Sequence, residues 1–254
     1  MSNLNSAFSA GKALAAYFTC GDPSLEATYE AMSSAVSGGA TMLFLGIPFS
    51  DPTAVDPVIQ ASNIRGLASG TATKDVFELI RDFRKDFDTP IILTAYANVV
   101  FSPGIEKFAY ECREAQVQGV ILHDVPFEEQ NEFRSILGKY GIALISTVSP
   151  DLPERIPLIC SGAEGFLYIV TGAATTLDEV RQSVNTIRTY SKLPCIIGCG
   201  VADAAPIEKF CAEADGAVLD YELVHIMEEY LDGAGRPIIR YIEKINDLLN
   251  RQRR

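Results

Sequence analysis

Met42-Leu43-Phe44-Leu45 runs into Gly46-Ile47-Pro48-Phe49-Ser50-Asp51-Pro52. The apolar part is too short for a helix, and a glycine and two prolines end it. It reads as a buried strand followed by an irregular connection. That connection is long and contains a helix-like segment, Pro57–Leu67. Long connections after a strand are where parallel α/β proteins place function.

The same unit recurs along the chain. Strand-like runs fall at Leu14–Thr19, Met42–Leu45, Ile91–Tyr96, Val120–His123, Ala143–Ser146, Phe166–Val170, Cys195–Gly198 and Ala217–Leu219. Helix-like segments lie between them: Leu25–Ser37, Lys74–Lys85, Ile105–Ala115, Glu128–Gly138, Leu177–Tyr190 and Ile207–Ala214. Val76, Leu79, Ile80 and Phe83 recur at i, i+3, i+4 and i+7, one apolar helical face. Eight strands alternating with helices predict an α/β fold, a TIM (β/α)8 barrel with extra short helices. A doubly wound sheet is the alternative. No Gly/Ser-rich or charged stretch separates domains, so residues 1–254 are expected to form a single barrel domain.

The chain has 254 residues, 48% of them hydrophobic, which suffices for a large core. A net charge of −12 argues against nucleic acid and anionic membranes as partners. No apolar run approaches the ~20 residues of a membrane span, and the polar N-terminus does not resemble a signal peptide. The six cysteines, Cys20, Cys112, Cys160, Cys195, Cys199 and Cys211, form no CxxC pair. Reduced thiols in a cytoplasmic protein account for them, and neither a metal nor a cofactor is expected.

Several ordered motifs resemble the tryptophan synthase alpha subunit family. They are Ala16-Tyr17-Phe18-Thr19-Cys20-Gly21-Asp22-Pro23, Gly46-Ile47-Pro48-Phe49-Ser50-Asp51-Pro52, Pro57-Val58-Ile59-Gln60-Ala61-Ser62, Tyr96-Ala97-Asn98-Val99-Val100-Phe101, Asp124-Val125-Pro126 and Gly198-Cys199-Gly200-Val201. The resemblance implies a barrel that cleaves indole-3-glycerol phosphate to indole and glyceraldehyde 3-phosphate by a retro-aldol step. It also implies a beta-type subunit as partner, with Pro48, Ser50, Asp51 and Pro52 at the contact.

The implied chemistry meets four departures. The family's acid–base carboxylate falls at Phe44, whose ring cannot exchange a proton; such catalysis is worth about 10²–10⁴ in rate. The second carboxylate, which holds the indole N–H, falls at Val55, with Asp56 one residue on as a substitute or as a cap for the helix at Pro57. The phosphate cradle keeps Gly198 and Gly200, but its Gly-Ser half reads Asp220-Tyr221. A carboxylate at roughly 4 Å from a phosphate charge opposes it by roughly 4 kcal/mol at an effective dielectric of 20. Asp220 equally suits the N-cap of a helix over Tyr221–Tyr230. The sixth loop, Val170–Thr175, lacks the family's Arg and is shorter, which weakens a lid.

Phe18 and Tyr96 match pocket-wall positions and could hold a small apolar or aromatic ligand. Cys20, His123 and Cys199 stand at strand ends and form a candidate new nucleophile–base site, although strands one and four lie across a barrel from one another. His225 reads as a packing or surface residue. Three functions are therefore expected as alternatives: a catalytically silent alpha-like partner of a beta-type subunit, a repurposed barrel enzyme on a non-phosphorylated substrate, or an active indole-3-glycerol phosphate lyase.

Overall fold

The structure is a computed structural model that describes residues 4–9, 11–53, 56–172, 174–198 and 204–251. Among these, nine strands form one parallel sheet in the order β5-β4-β3-β2-β1-β9-β8-β7-β6. The strands are β1 (Ala13–Thr19), β2 (Met42–Gly46), β3 (Ile91–Ala95), β4 (Gly119–Leu122), β5 (Ala143–Leu144), β6 (Ser146–Val148), β7 (Leu167–Ile169), β8 (Cys195–Gly198) and β9 (Gly216–Leu219). The two ends of the order, β5 and β6, are separated only by Ile145, so the sheet wraps round to a single interrupted strand. The fifth expected strand, Ala143–Ser146, is thus split, and eight strands of an α/β TIM barrel are counted as nine.

Helices cover the outside: α1 (Leu25–Ser37), α2 (Pro57–Ala68), α3 (Thr73–Phe83), α4 (Ala97–Phe101), α5 (Ile105–Glu114), α6 (Asn131–Lys139), α7 (Ile156–Ser161), α8 (Leu177–Tyr190), α9 (Ala204–Glu213), α10 (Tyr221–Tyr230) and α11 (Gly235–Arg251). Helix α3 buries the expected stripe of Val76, Leu79, Ile80 and Phe83. Local chemistry sets several starts. Ser24 accepts from the Ala27 N–H at α1, and Thr176 and Glu179 form a reciprocal capping box at α8.

Alternating strand residues divide the core in two. One set, including Leu14, Ala16, Phe18, Leu43, Leu45 and Leu93, packs outward against the helices. The other, including Ala13, Ala15, Met42, Phe44, Ile92, Ile121, Ile145, Phe166, Ile196 and Val218, fills the barrel. A short 3₁₀ turn, Leu4–Phe8, covers the N-terminal end of the barrel, with Ala7 buried and Phe8 against Phe166 at 6.2 Å. No described helix is long and apolar enough to cross a membrane.

Candidate functional site

The opposite, C-terminal end of the barrel opens into a cavity of about 470 Å³. That volume suits a small-molecule site. Strand ends and the connections after them build its wall. Tyr17 comes from β1, Phe44 and Gly46 from β2, Thr94 from β3, Thr147 and Val148 from β6, Tyr168 from β7, Gly198 from β8 and Val218 from β9. Beyond the strand ends, Thr53, Asp56, Tyr96, His123, Ser149, Thr171, Asp220 and Tyr221 are among the residues that extend it.

Phe44 occupies the cavity floor. It is fully buried, 5.6 Å from the Tyr168 ring in an edge-on contact and 6.2 Å from Phe166. The expected acid position is therefore an aromatic part of the interior core, with no proton to move. Two glycines make this arrangement fit. A Cβ on Gly46 would lie 2.4 Å from the Tyr17 hydroxyl, and one on Gly198 would lie 2.6 Å from the Tyr168 hydroxyl. Each glycine gives a phenol room to reach across its neighbouring strand.

The Tyr17 hydroxyl lies 3.2 Å from Thr19 Oγ1, which lies 2.6 Å from Ser62 Oγ; Ser62 donates to the Ile59 carbonyl at 2.7 Å. This chain ties β1 to α2. Burial raises the Tyr17 pKa, so the phenol keeps its proton. Phe18, expected in the pocket wall, instead packs in the outer core, and Tyr17 takes the cavity face. Successive strand residues point to opposite faces. Both faces of a barrel strand are buried, so hydrophobicity alone does not reveal the phase.

Asp56 sits at the cavity lip and N-caps α2, accepting from the Val58 N–H at 2.8 Å. Asp220 N-caps α10, accepting from the Tyr221 N–H at 2.7 Å. Burial pushes its carboxyl up to about 6, backbone N–H groups oppose the rise, and Asp56 adds to it. The N-terminus of α10, where an anion would dock, is filled by an acid.

Tyr96 stacks on Phe49 at 4.7 Å and leans on His123 at 5.7 Å, forming an aromatic ladder along one wall. Burial raises the Tyr96 pKa. Desolvation lowers that of His123, but the imidazole is exposed at the cavity lip, which limits the effect. Asp124, beside it, accepts from the Ala97 N–H at 2.8 Å and so caps the start of α4. The Tyr96-Ala97 and Asp124 motifs thus meet as one structural joint.

The structure does not bring Cys20 and His123 together. Cys20 is buried in the outer core, where desolvation pushes its thiol up to about 12. Its strand is separated from β4 by β2 and β3. Val55, Cys199 and Gly200 lie outside the described residues. His225 is exposed, 3.8 Å from Glu228. Among the described residues, no cluster of three or more His, Cys, Asp and Glu could hold a metal.

In the connection after β2, Phe49 N–H donates to Asn63 Oδ1 at 2.9 Å, and Asn63 in turn donates to the Ile59 carbonyl. Ser50 and Asp51 are exposed and bonded to each other at 2.6 Å, and Pro52 is partly covered. Pro48 is buried beside Gly66 of α2, so of the four expected contact residues it presents no surface. After β7, Thr171 donates to the Gly198 carbonyl, fastening the sixth loop to the end of β8.

The sequence profile of the tryptophan synthase alpha chain family matches residues 4–252. The chain belongs to this family. A tryptophan synthase alpha chain from Xanthomonas axonopodis pv. citri is 40% identical over 230 residues, 87% of this chain and 86% of that protein. One from Alkaliphilus metalliredigens is 32% identical over 94% of this chain and 93% of its own length. The alpha subunit structure from Legionella pneumophila str. Paris superposes with a TM-score of 0.91 at 31% identity, covering 99% of both chains. A chain of the tryptophan synthase complex from Pyrococcus furiosus gives 0.85 at 28% identity, covering 93% of this chain and 99% of that one.

Proposed function

We propose that this tryptophan synthase alpha-like protein has lost indole-3-glycerol phosphate cleavage and serves as a cytoplasmic, noncatalytic partner of a beta-type subunit. The observation that carries this reading is Phe44, buried against Phe166 and Tyr168 where the acid–base carboxylate is required. Asp220 adds to it, because an ionised carboxyl at the start of α10 repels a phosphate instead of binding it. Val55 supplies no second acid. The partner reading rests on the relatives: a Pyrococcus furiosus homologue is described as part of an α2β2 complex with mutual activation. Exposed Ser50 and Asp51, with partly covered Pro52, offer the corresponding surface.

Mixing the protein with a beta-type subunit tests the partner role. Co-elution, with a changed rate of tryptophan formation from indole and serine, is the expected result. Two separate elution peaks and an unchanged rate would sink the partner role. Restoration tests the missing chemistry. Phe44→Glu with Val55→Asp leaves Asp220 at the phosphate position, so indole release is expected only when Asp220→Gly is added. A second reading, a repurposed enzyme on a non-phosphorylated substrate, is favoured by one observation: the cavity remains open and holds polar groups from β3, β6 and the mouth loops.

A further inference from the structure

The cavity combines aromatic walls with negative charge. Its described lining includes Asp56 and Asp220 but neither Lys nor Arg. Stretches 54–55, 173 and 199–203 contain no Lys or Arg by sequence. Asp220 is bonded to backbone N–H groups, and among the described residues no Lys or Arg is among the groups that shift its titration. A carboxylate held partly out of water without a counter-ion gains most from a ligand that supplies one.

Strand register gives the site its length. Tyr17 pairs with Phe44 across β1 and β2, and Ala16 pairs with Leu219 across β1 and β9, which sets Asp220 level with Tyr17. Phe44 on β2, Tyr17 on β1 and Asp220, the residue that follows β9, thus stand at about one height on neighbouring parts of the barrel. Neighbouring strands lie about 4.8 Å apart, so Phe44 and Asp220 are on the order of 10 Å apart at the backbone. An aromatic ring carrying an ammonium on a short alkyl arm spans such a gap once side chains are allowed for.

We propose that this cavity binds a small arylalkylamine, its ring against Phe44 and Tyr168 and its ammonium on Asp220. The inference rests on the reading that the cavity no longer serves phosphate-ester cleavage. Calorimetric titration of the full chain with tryptamine, with its neutral counterpart 3-methylindole, and with inorganic phosphate tests it. Tryptamine is expected to bind about tenfold or more tightly than 3-methylindole, the scale of one charge-assisted hydrogen bond. Asp220→Asn, which keeps a good N-cap, should erase that preference while leaving 3-methylindole binding in place. Equal affinity for the two compounds, or a preference that survives Asp220→Asn, would overturn the proposal. Phosphate binding that competes with tryptamine would also overturn it. If Asp220→Asn does not fold, the wild-type comparison of the two compounds decides alone. Assaying the same preparation for indole release separates the two readings: no release with no amine preference defeats this inference only, whereas release defeats the functional reading beneath it.

Discussion

The two ends of the barrel interior obey different rules. Towards the N-terminal end, Ala13, Ala15, Met42, Ile92, Ile145 and Phe166 fill the space with apolar side chains, closed off by the turn Leu4–Phe8. Towards the C-terminal end, Tyr17, Tyr96, Tyr168, His123, Asp56 and Asp220 surround open volume. Phe44 lies where the two meet, and its apolar ring carries the packing logic of one end up to the floor of the other. The closed end is under the demand to fold. The open end holds polar groups that folding alone does not require, and one of them, Asp220, is held at a cost.

Substitutions at the two ends should separate these demands. The largest effect is expected in the closed end: Phe166→Ala should lose about 3–5 kcal/mol in urea denaturation, because no solvent can fill the space left. A loss no greater than that of Phe44→Ala, which already borders a cavity, would break the contrast. A smaller effect is expected at the open end from Arg65→Ala. Arg65 holds the buried Asp22 through two hydrogen bonds at 2.6 and 2.8 Å. Burial raises the Asp22 pKa and Arg65 opposes the rise, so removing the partner strands the acid. Because Arg65 is partly exposed, about 2 kcal/mol is expected, less than for a fully buried pair.

Asp220→Asn should act in the other direction. The Asp220 carboxyl titrates near 6 in the fold against 3.8 when free. Between those values the folded chain binds more proton than the unfolded chain, so this group's contribution to stability falls as pH rises from about 4 to 6. Above pH 6 the full penalty applies. Asparagine should therefore gain roughly 1–2 kcal/mol at pH 8, allowing for its half-buried position, and no gain near pH 3. Equal stability of the two proteins across that range in thermal melts would show that Asp220 is not penalised. The smallest effect belongs to Tyr17→Phe, which removes one link of the Tyr17–Thr19–Ser62 chain; about 0.5–1.5 kcal/mol is expected by urea melts.

Sequence patterning revealed the closed end well. Short apolar runs and the 3.6-residue stripe of α3 gave the strand and helix succession, because burial dictates residue type there. The break at Ile145 is not legible in the sequence, since Ala143-Leu144-Ile145 is a continuous apolar run with no glycine or proline to mark an interruption. At the open end, motif matching placed Phe44, Asp56, Tyr96 and Asp220 at the mouth, but it put Phe18 in the wall where Tyr17 stands. Tyr168 carries no local signal of its place in the wall, because its room depends on Gly198 in the neighbouring strand, and no local pattern encodes cross-strand space. Asp124 read as a motif residue and is a helix cap, a role set by a contact with Ala97 from another connection.

The central claim is that the Phe44 floor and the Asp220 rim have ended the ancestral cleavage. Measuring indole released from indole-3-glycerol phosphate, by the unmodified chain alone and with a beta-type subunit, tests it most directly. The account predicts no release above the uncatalysed background under either condition. Turnover at the rate of an active tryptophan synthase alpha chain assayed alongside would contradict it.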